Sequence, residues 1–185
     1  MSKSRVRSDA KAARQAFVGA MTPAQRCAAA IMLAGRIEEK LGDARVVAAY
    51  LPIGSEIDTL PIIDRLARRD IVIALPHVTG RTAPMRFLVW APGDPLPSGP
   101  MGLRQPAADA PEVCPDLILT PMLAFDGRLH RLGYGAGHYD RAFAAQPSAR
   151  RIGLAWSVQQ VAKIADDPWD VPLHGVMTET GFIEL

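Results

Sequence analysis

Between residues 131 and 141 the chain reads Arg-Leu-Gly-Tyr-Gly-Ala-Gly-His-Tyr-Asp-Arg. Glycine at every second position (Gly133, Gly135, Gly137) leaves three points without a Cβ and tolerant of positive φ. Successive N–H groups can then turn to one side and form an anion nest. The stretch after Gly137 predicts a helix, whose first turn would add unpaired N–H groups and the positive end of its dipole. Arg131 and Arg141 flank the ribbon. In physical terms this is a phosphate cradle; on the glycines alone a tight turn is the competing reading. It is neither of the two common phosphate motifs, because His138 follows the last glycine where those need Lys-Ser/Thr or a further Gly. Asp140 lies three residues beyond Gly137. A carboxylate at the mouth of a phosphate nest repels the ligand unless a cation intervenes, and Mg²⁺ held by one or two carboxylates plus phosphate oxygens is the usual answer. The bland alternative is a helix N-terminal charge worth about 0.3–1 kcal/mol.

A second group of charges opens the chain. Lys3, Arg5, Arg7, Lys11 and Arg14 stand against Asp9 alone in the first fourteen residues. Either they form a solvated helix face, or one or two of them reach an anionic ligand. The whole chain is nearly neutral: 21 Lys+Arg against 19 Asp+Glu give a net charge of +2, with 6% aromatic residues. That balance argues against nucleic acid or a membrane surface as a general partner. No apolar run approaches the roughly 18 residues of a membrane span. Cys27 and Cys114 are far apart and lack metal spacing, and are read as reduced thiols of a cytoplasmic protein.

The elements that must position these residues are predicted from periodicity. Helices are expected over 4–19 and from Thr22 to Gly42, with Thr22 as N-cap and Pro23 in the first turn. "RVVAAYLP" (45–52), "IVIALP" (71–76), "DLILTP" (116–121) and "RRIGLAW" (150–156) are buried strands, and "MRFLVW" (85–90) a wetter one. A helix opened by Asp58 or Thr59, another from His138 and a short one at "VQQVAKI" alternate with them. The tail from Gly175 reads as a closing strand. The fold expected is an α/β, three-layer α/β/α single domain spanning residues 1–185, with a mainly parallel sheet. In such sheets ligands bind where loops leave the carboxyl ends of strands. "GSEIDT" (54–59), "HVTGR" (77–81) and the glycine ribbon are therefore expected to share one crevice.

At this point the residues carry a resemblance. "RLGYGAGHYDR" closely resembles the signature of the 5-formyltetrahydrofolate cyclo-ligase family. "KSRVR" (3–7) is similar to its N-terminal Lys-x-x-x-Arg element, "YLPIGSEIDT" (50–59) to its strand followed by Glu-Ile/Val-Asp-Thr, and "WDVPLHGVMTE" (169–179) to its C-terminal segment. The four motifs keep their order along nearly the whole chain. Ala136, His138 and His174 depart from the residues frequent in the family at those positions.

The resemblance implies an ATP-dependent ligase that closes 5-formyltetrahydrofolate to 5,10-methenyltetrahydrofolate, with Mg²⁺, and releases ADP and phosphate. It implies that Lys3, Arg7 and Arg131 serve catalysis and the nucleotide phosphates, with Gly133, Tyr134, Gly135, Ala136, Gly137, His138 and Tyr139 completing the ATP site. Glu56 would bind the folate, with residues 134 to 138 touching both substrates. Asp140 and Asp170 would hold the metal; Asp170 has a turn beside Pro172 as its alternative. Glu56 is expected to be displayed at the crevice rather than buried. Tyr139 is open between packing on a flat ring and an ordinary core role. Met85, Phe87 and Trp90 are open between a pterin wall and the core, and His77 and His130 read as loop residues. The partners implied are small molecules, a reduced folate and ATP, with no nucleic acid and no membrane, and the chain is read as a monomer. Two rivals stay open: a sugar-phosphate isomerase or acyl-CoA transferase on a related scaffold, and a binding protein without activity.

Overall fold

The computed structural model describes residues 2–185. Its framework follows from alternation along short apolar strands. Val47, Ile73 and Leu75, Leu117 and Leu119, and Ile152 and Leu154 all point to one face of a sheet; Ala48, Ala74, Ile118 and Val176 point to the other. The strands are β1 (Val46–Ala48), β2 (Val72–His77), β3 (Arg86–Val89), β4 (Leu117–Pro121), β7 (Arg150–Leu154), β9 (Gly175–Met177) and β10 (Phe182–Ile183). They form a seven-stranded sheet in the order β10-β9-β7-β4-β1-β2-β3. The five central strands run parallel, and the edge strands β10 and β3 antiparallel.

Helices cover both faces. α2 (Pro23–Glu39) and α3 (Leu60–Ala67) bury Leu33, Ile37, Ile62, Ile63 and Leu66 on the first face. α2 begins on a capping box, in which Thr22 Oγ1 accepts from Gln25 N and Gln25 Oε1 accepts from Thr22 N. α4 (His138–Ala145) places Ala142 and Phe143 on the second face. The architecture is thus the three-layer α/β arrangement with a mainly parallel sheet. α1 (Lys3–Gly19) joins the first core only through its last turns, where Val18 is buried and Phe17 packs on Trp156; the rest lies against the turn Ser157–Gln159 and a second, three-stranded sheet of β6 (Arg131–Leu132), β5 (Ala124–Asp126) and β8 (Gln160–Val161). Among the described residues no single helix is long and apolar enough to cross a membrane.

Three expectations are corrected. "VQQVAKI" is a 3-10 turn followed by β8, because Gln160 and Val161 pair with Phe125 and Asp126. The tail is a hairpin of β9 and β10 rather than one strand. Hairpin β5–β6, which carries the chain into the glycine ribbon, had no counterpart in the predicted elements.

Asp126 is the polar pin of that hairpin. Its buried carboxylate accepts from the N–H groups of Ile164, Arg128 and His130 and from the Arg128 guanidinium. Burial pushes its pKa up, but these four donors outweigh burial and hold it below the ordinary aspartate value. A depressed folded-state pKa contributes stability that is complete above the unfolded value and drains as pH falls through the folded one. Asp126→Asn is therefore expected to cost about 1–3 kcal/mol at neutral pH. In urea melts the gap to the parent should narrow as pH falls below the ordinary aspartate value of about 3.9 and on through the lower folded value, where the parent's own aspartate takes up its proton. An equal gap at both pH values would contradict this.

Candidate functional site

α1 presents one stripe to the ribbon. Lys3, Arg7, Ala10 and Arg14 are spaced four, three and four apart, so they share a face. Lys3 Nζ bonds Asp167 Oδ2 at 2.6 Å and Asp170 Oδ2 at 2.8 Å. Arg7 Nε donates to Gly133 O at 2.9 Å. Its terminal nitrogens make no hydrogen bond to the described residues, and its guanidinium lies over Gly135, where a Cβ would come within 3.3 Å of it. Arg14 is 2% exposed. It donates to Ser55 Oγ, Met122 O and Tyr134 Oη, at 3.0, 3.2 and 3.0 Å.

Two of the three ribbon glycines use the conformational freedom expected of them, Gly135 at φ 97° and Gly137 at φ 68°. Gly137 is the N-cap of α4, and Asp140 sits in that helix's first turn. Arg131 enters from β6 and bonds Asp140 Oδ1 at 2.7 Å. Its guanidinium lies over the rings of Phe143, at 5.0 Å, and Tyr139, at 5.5 Å. Burial pushes the Arg131 pKa down, opposed by Asp140, Tyr139 and Asp170, so both aspartates lie within electrostatic reach of it. His138 Nδ1 lies 3.1 Å from Arg141 Nη2. A guanidinium only donates, so Nδ1 accepts and Nε2 carries the proton. That buried Nε2 makes no well-formed hydrogen bond among the described residues, although the Ala83 carbonyl is close enough to favour the protonated ring. Burial, then Arg141, lowers the His138 pKa, which keeps the ring neutral at pH 7.

Glu56 is buried, which corrects the expectation of an acid displayed at the crevice. Oε1 accepts from the Tyr134 hydroxyl at 2.9 Å, and Oε2 from Ile53 N at 2.9 Å. Arg14 Nη1 stands 3.9 Å from Oε1. Burial raises the Glu56 pKa, and the Ile53 N–H, the Tyr134 hydroxyl and Arg14 oppose that rise without cancelling it. The Tyr134 ring itself is half exposed, at 52%, so it borders the open side of the site.

The three loops expected to meet do meet. The first supplies Ser55 and Glu56, and the second touches the ribbon's far end through Arg81 O, which accepts from Arg141. Ala136 O also accepts from Arg141. Met85, Phe87 and Trp90 are buried in the cores, and Tyr139 packs its ring on Phe143. His174 holds β7 by accepting from Arg151 N. A cavity of about 420 Å³ opens beside Lys3, walled by Val6, Ala10, Leu132, Val161 and Ile164.

Asp140 and Asp170 suit a hard divalent cation. Each spends one oxygen on protein donors, Asp140 Oδ1 on Arg131 and Asp170 Oδ2 on Lys3 and Asp167 N. Each keeps the other oxygen free of hydrogen bonds to the described residues. Among those residues no three acidic, His or Cys side chains cluster as a metal site. Two carboxylates fit a Mg²⁺ whose remaining ligands come from phosphate and water.

Arg14 is the residue that sequence reasoning missed. It stands among five N-terminal cations open between a solvated face and an anionic ligand, although helical spacing puts it on the face of Lys3 and Arg7.

The sequence pattern of the 5-formyltetrahydrofolate cyclo-ligase family matches residues 1–179. The chain is 34% identical over 146 residues to the 5-formyltetrahydrofolate cyclo-ligase of Escherichia coli K12, covering 73% of this chain and 78% of that one. It is 32% identical over 141 residues to that of Haemophilus influenzae, covering 72% and 75%. The solution structure of Aquifex aeolicus 5,10-methenyltetrahydrofolate synthetase superposes with a TM-score of 0.77 at 26% identity, over 100% of this chain and 93% of that one. A Mycoplasma pneumoniae 5,10-methenyltetrahydrofolate synthetase shares the fold, with a TM-score of 0.76 at 21% identity, over 97% and 99%.

Gly135→Ala tests the ribbon. Its φ suits glycine alone, and a Cβ would press on Arg7. The variant is expected to lose about 1–3 kcal/mol in thermal or urea melts. Gly127→Ala, at an ordinary φ with open space around it, should stay near the parent. Equal behaviour of the two variants would refute the strain.

Proposed function

The chain belongs to the 5-formyltetrahydrofolate cyclo-ligase family, and on that premise we propose that it converts 5-formyltetrahydrofolate to 5,10-methenyltetrahydrofolate at the expense of ATP. The chemical obstacle is an amide-like formyl group, a poor electrophile. Its oxygen attacks the γ-phosphorus, ADP leaves, and the oxygen becomes part of a good leaving group. The neighbouring folate nitrogen then attacks the formyl carbon and loses its proton. The C–O bond breaks, and phosphate carries the oxygen away.

Phosphoryl transfer of this kind asks the protein for position and charge more than for covalent work. The ribbon amides around Gly133, Gly135 and Gly137 wrap the phosphates. The free ends of Arg7, with Lys3 and Arg131, offset the negative charge that gathers on the transferred group. Neutral His138 keeps an Nε2–H donor at the start of α4. Asp140 and Asp170 hold Mg²⁺, which when bound neutralises phosphate charge. The apolar cavity beside Lys3 suits the nucleoside end of ATP. Glu56 accepts from ring N–H donors of the folate, a pattern that a carboxylate meets with two oxygens.

The observation that carries this reading is Tyr134. It belongs to the ribbon, yet its hydroxyl bonds the Glu56 carboxylate at 2.9 Å. The phosphate cradle and the folate acid are therefore contiguous, as a transfer between two substrates requires. The chain is proposed to act as a monomeric single domain. Its exposed, unpaired Cys27 and Cys114 fit the reducing cytoplasm.

Purified protein is expected to generate methenyl-folate absorbance from 5-formyltetrahydrofolate with Mg-ATP, and none when ATP is withheld. No product from folded protein would remove the proposal. Asp140→Asn should lower turnover by about a hundredfold or more. Because it also loosens Arg131, the deciding readout is the Mg²⁺ concentration for half-maximal rate, which should rise. An unchanged Mg²⁺ dependence would remove Asp140 from the metal site.

A further inference from the structure

Arg14 is a cation with almost no contact with water, on a helix whose other cations are exposed or half-buried. Burying a guanidinium costs several kcal/mol unless every donor finds a partner. Its partners here are drawn from three separate parts of the chain: Ser55 in the loop after β1, Met122 between β4 and β5, and Tyr134 in the ribbon. The Tyr134 hydroxyl accepts from Arg14 and donates to Glu56, so it relays between the two charges. None of these bonds uses a group of the main hydrophobic sheet. They tie together only the segments around the site.

We propose that Arg14 is a positioning residue for the reaction: through the Tyr134 hydroxyl and its own charge it holds the Glu56 carboxylate in place, and so sets the folate-binding acid and the phosphate-binding ribbon as one unit. This rests on the reading of Glu56 as the folate carboxylate. Arg14 touches neither substrate in this scheme and acts through Glu56 and Tyr134.

The electrostatics fit the geometry. Glu56 is faced by Arg14 from α1, Tyr134 from the ribbon, Tyr50 from the end of β1 and Tyr139 from α4. Arg14 is the one positive group in that set. The three tyrosines are neutral, since burial raises the pKa of each. Without Arg14 nothing cationic in the set opposes the upward pull of burial on Glu56. The carboxyl would then gain protons at a higher pH, and the protonated acid is a poorer acceptor for substrate N–H groups.

The test is a double-mutant cycle read on folate and ATP separately. Arg14→Met is expected to raise the KM for 5-formyltetrahydrofolate by about tenfold to a hundredfold, the scale of a lost charge-assisted hydrogen bond. The KM for ATP should move much less. The acid limb of kcat/KM for folate should shift to higher pH, and Arg14→Lys, which keeps the charge, should recover part of both changes. In a Glu56→Gln background Arg14→Met should add little, because the group it serves is gone. Full additivity in that background would overturn the proposal, as would parallel loss on both substrates with an unmoved pH profile. If Arg14→Met does not fold, Arg14→Lys and Tyr134→Phe carry the same cycle, and the same additivity overturns it. Should Glu56→Gln alone leave the folate KM unchanged, the reading of Glu56 fails instead, which separates the two outcomes.

Discussion

A binding loop with almost no side chains cannot hold its own shape. Glycine loses more backbone freedom on ordering than any other residue, so the Gly-x-Gly-x-Gly ribbon must be gripped from outside. α1 supplies the grip. Arg7 bonds a ribbon carbonyl, Arg14 bonds the ribbon's tyrosine, and Lys3 holds the acidic segment beside it. The helix is anchored at its end by Val18 and Phe17 in the main core, while the turns that carry the cations rest beside the small sheet that feeds the ribbon. Its N-cap, Ser2, starts the helix one residue before Lys3 and thereby sets the phase of the whole stripe.

The same arrangement settles where the charges go before a ligand arrives. On the proposed reading, a triphosphate would bring several negative charges into a site that already contains Asp140 and Asp170. Each aspartate is paired with a cation, Asp140 with Arg131 and Asp170 with Lys3. Each pairing uses one carboxylate oxygen and leaves the other open to a metal. The cations therefore need not abandon the acids when phosphate arrives. They can face both, with the divalent ion balancing the excess. Arg131 is suited to this because the rings of Tyr139 and Phe143 fix its plane from behind.

Much of this was legible in residue order. Unbroken apolar runs in β1, β2, β4 and β7 read as buried strands because each side of the sheet is covered, and the start of α2 was visible as Thr22 before Pro23. The ribbon's backbone was legible in part, since Gly135 and Gly137 take the positive φ that alternate glycines allow; its role as a phosphate cradle is the proposed one. What escaped depends on distant partners. The apolar residues at 158, 161 and 164 are three apart, which is helical spacing; Val158 lies in a turn, Val161 in a strand and Ile164 in the loop beyond it, because Phe125 and Asp126 offer pairing to Gln160 and Val161, and no local signal reports that. Glu56 reads as a loop acid beside Gly54 and Ser55, and its burial follows from Arg14 and Tyr134, far away in sequence. Arg14 is the instructive case. Composition files it with surface cations, whereas helical phase places it on the inward stripe with Ala10 and Val18.

The departures from the family's frequent residues follow the same logic. His138 replaces an aromatic, yet keeps a flat ring at the start of α4, and its tautomer is dictated by Arg141 donating to Nδ1. Ala136 puts a Cβ at the ribbon's middle, and the backbone there tolerates it because the positive φ values fall on its neighbours, Gly135 and Gly137. His174 stands where the family often has an acid, and it serves β7 by accepting from Arg151 N rather than facing the ribbon. The substitutions change donors at the rim and leave the three-point grip of α1 untouched. A site of this kind can thus vary in the residues that line it while the helix that holds it keeps its phase.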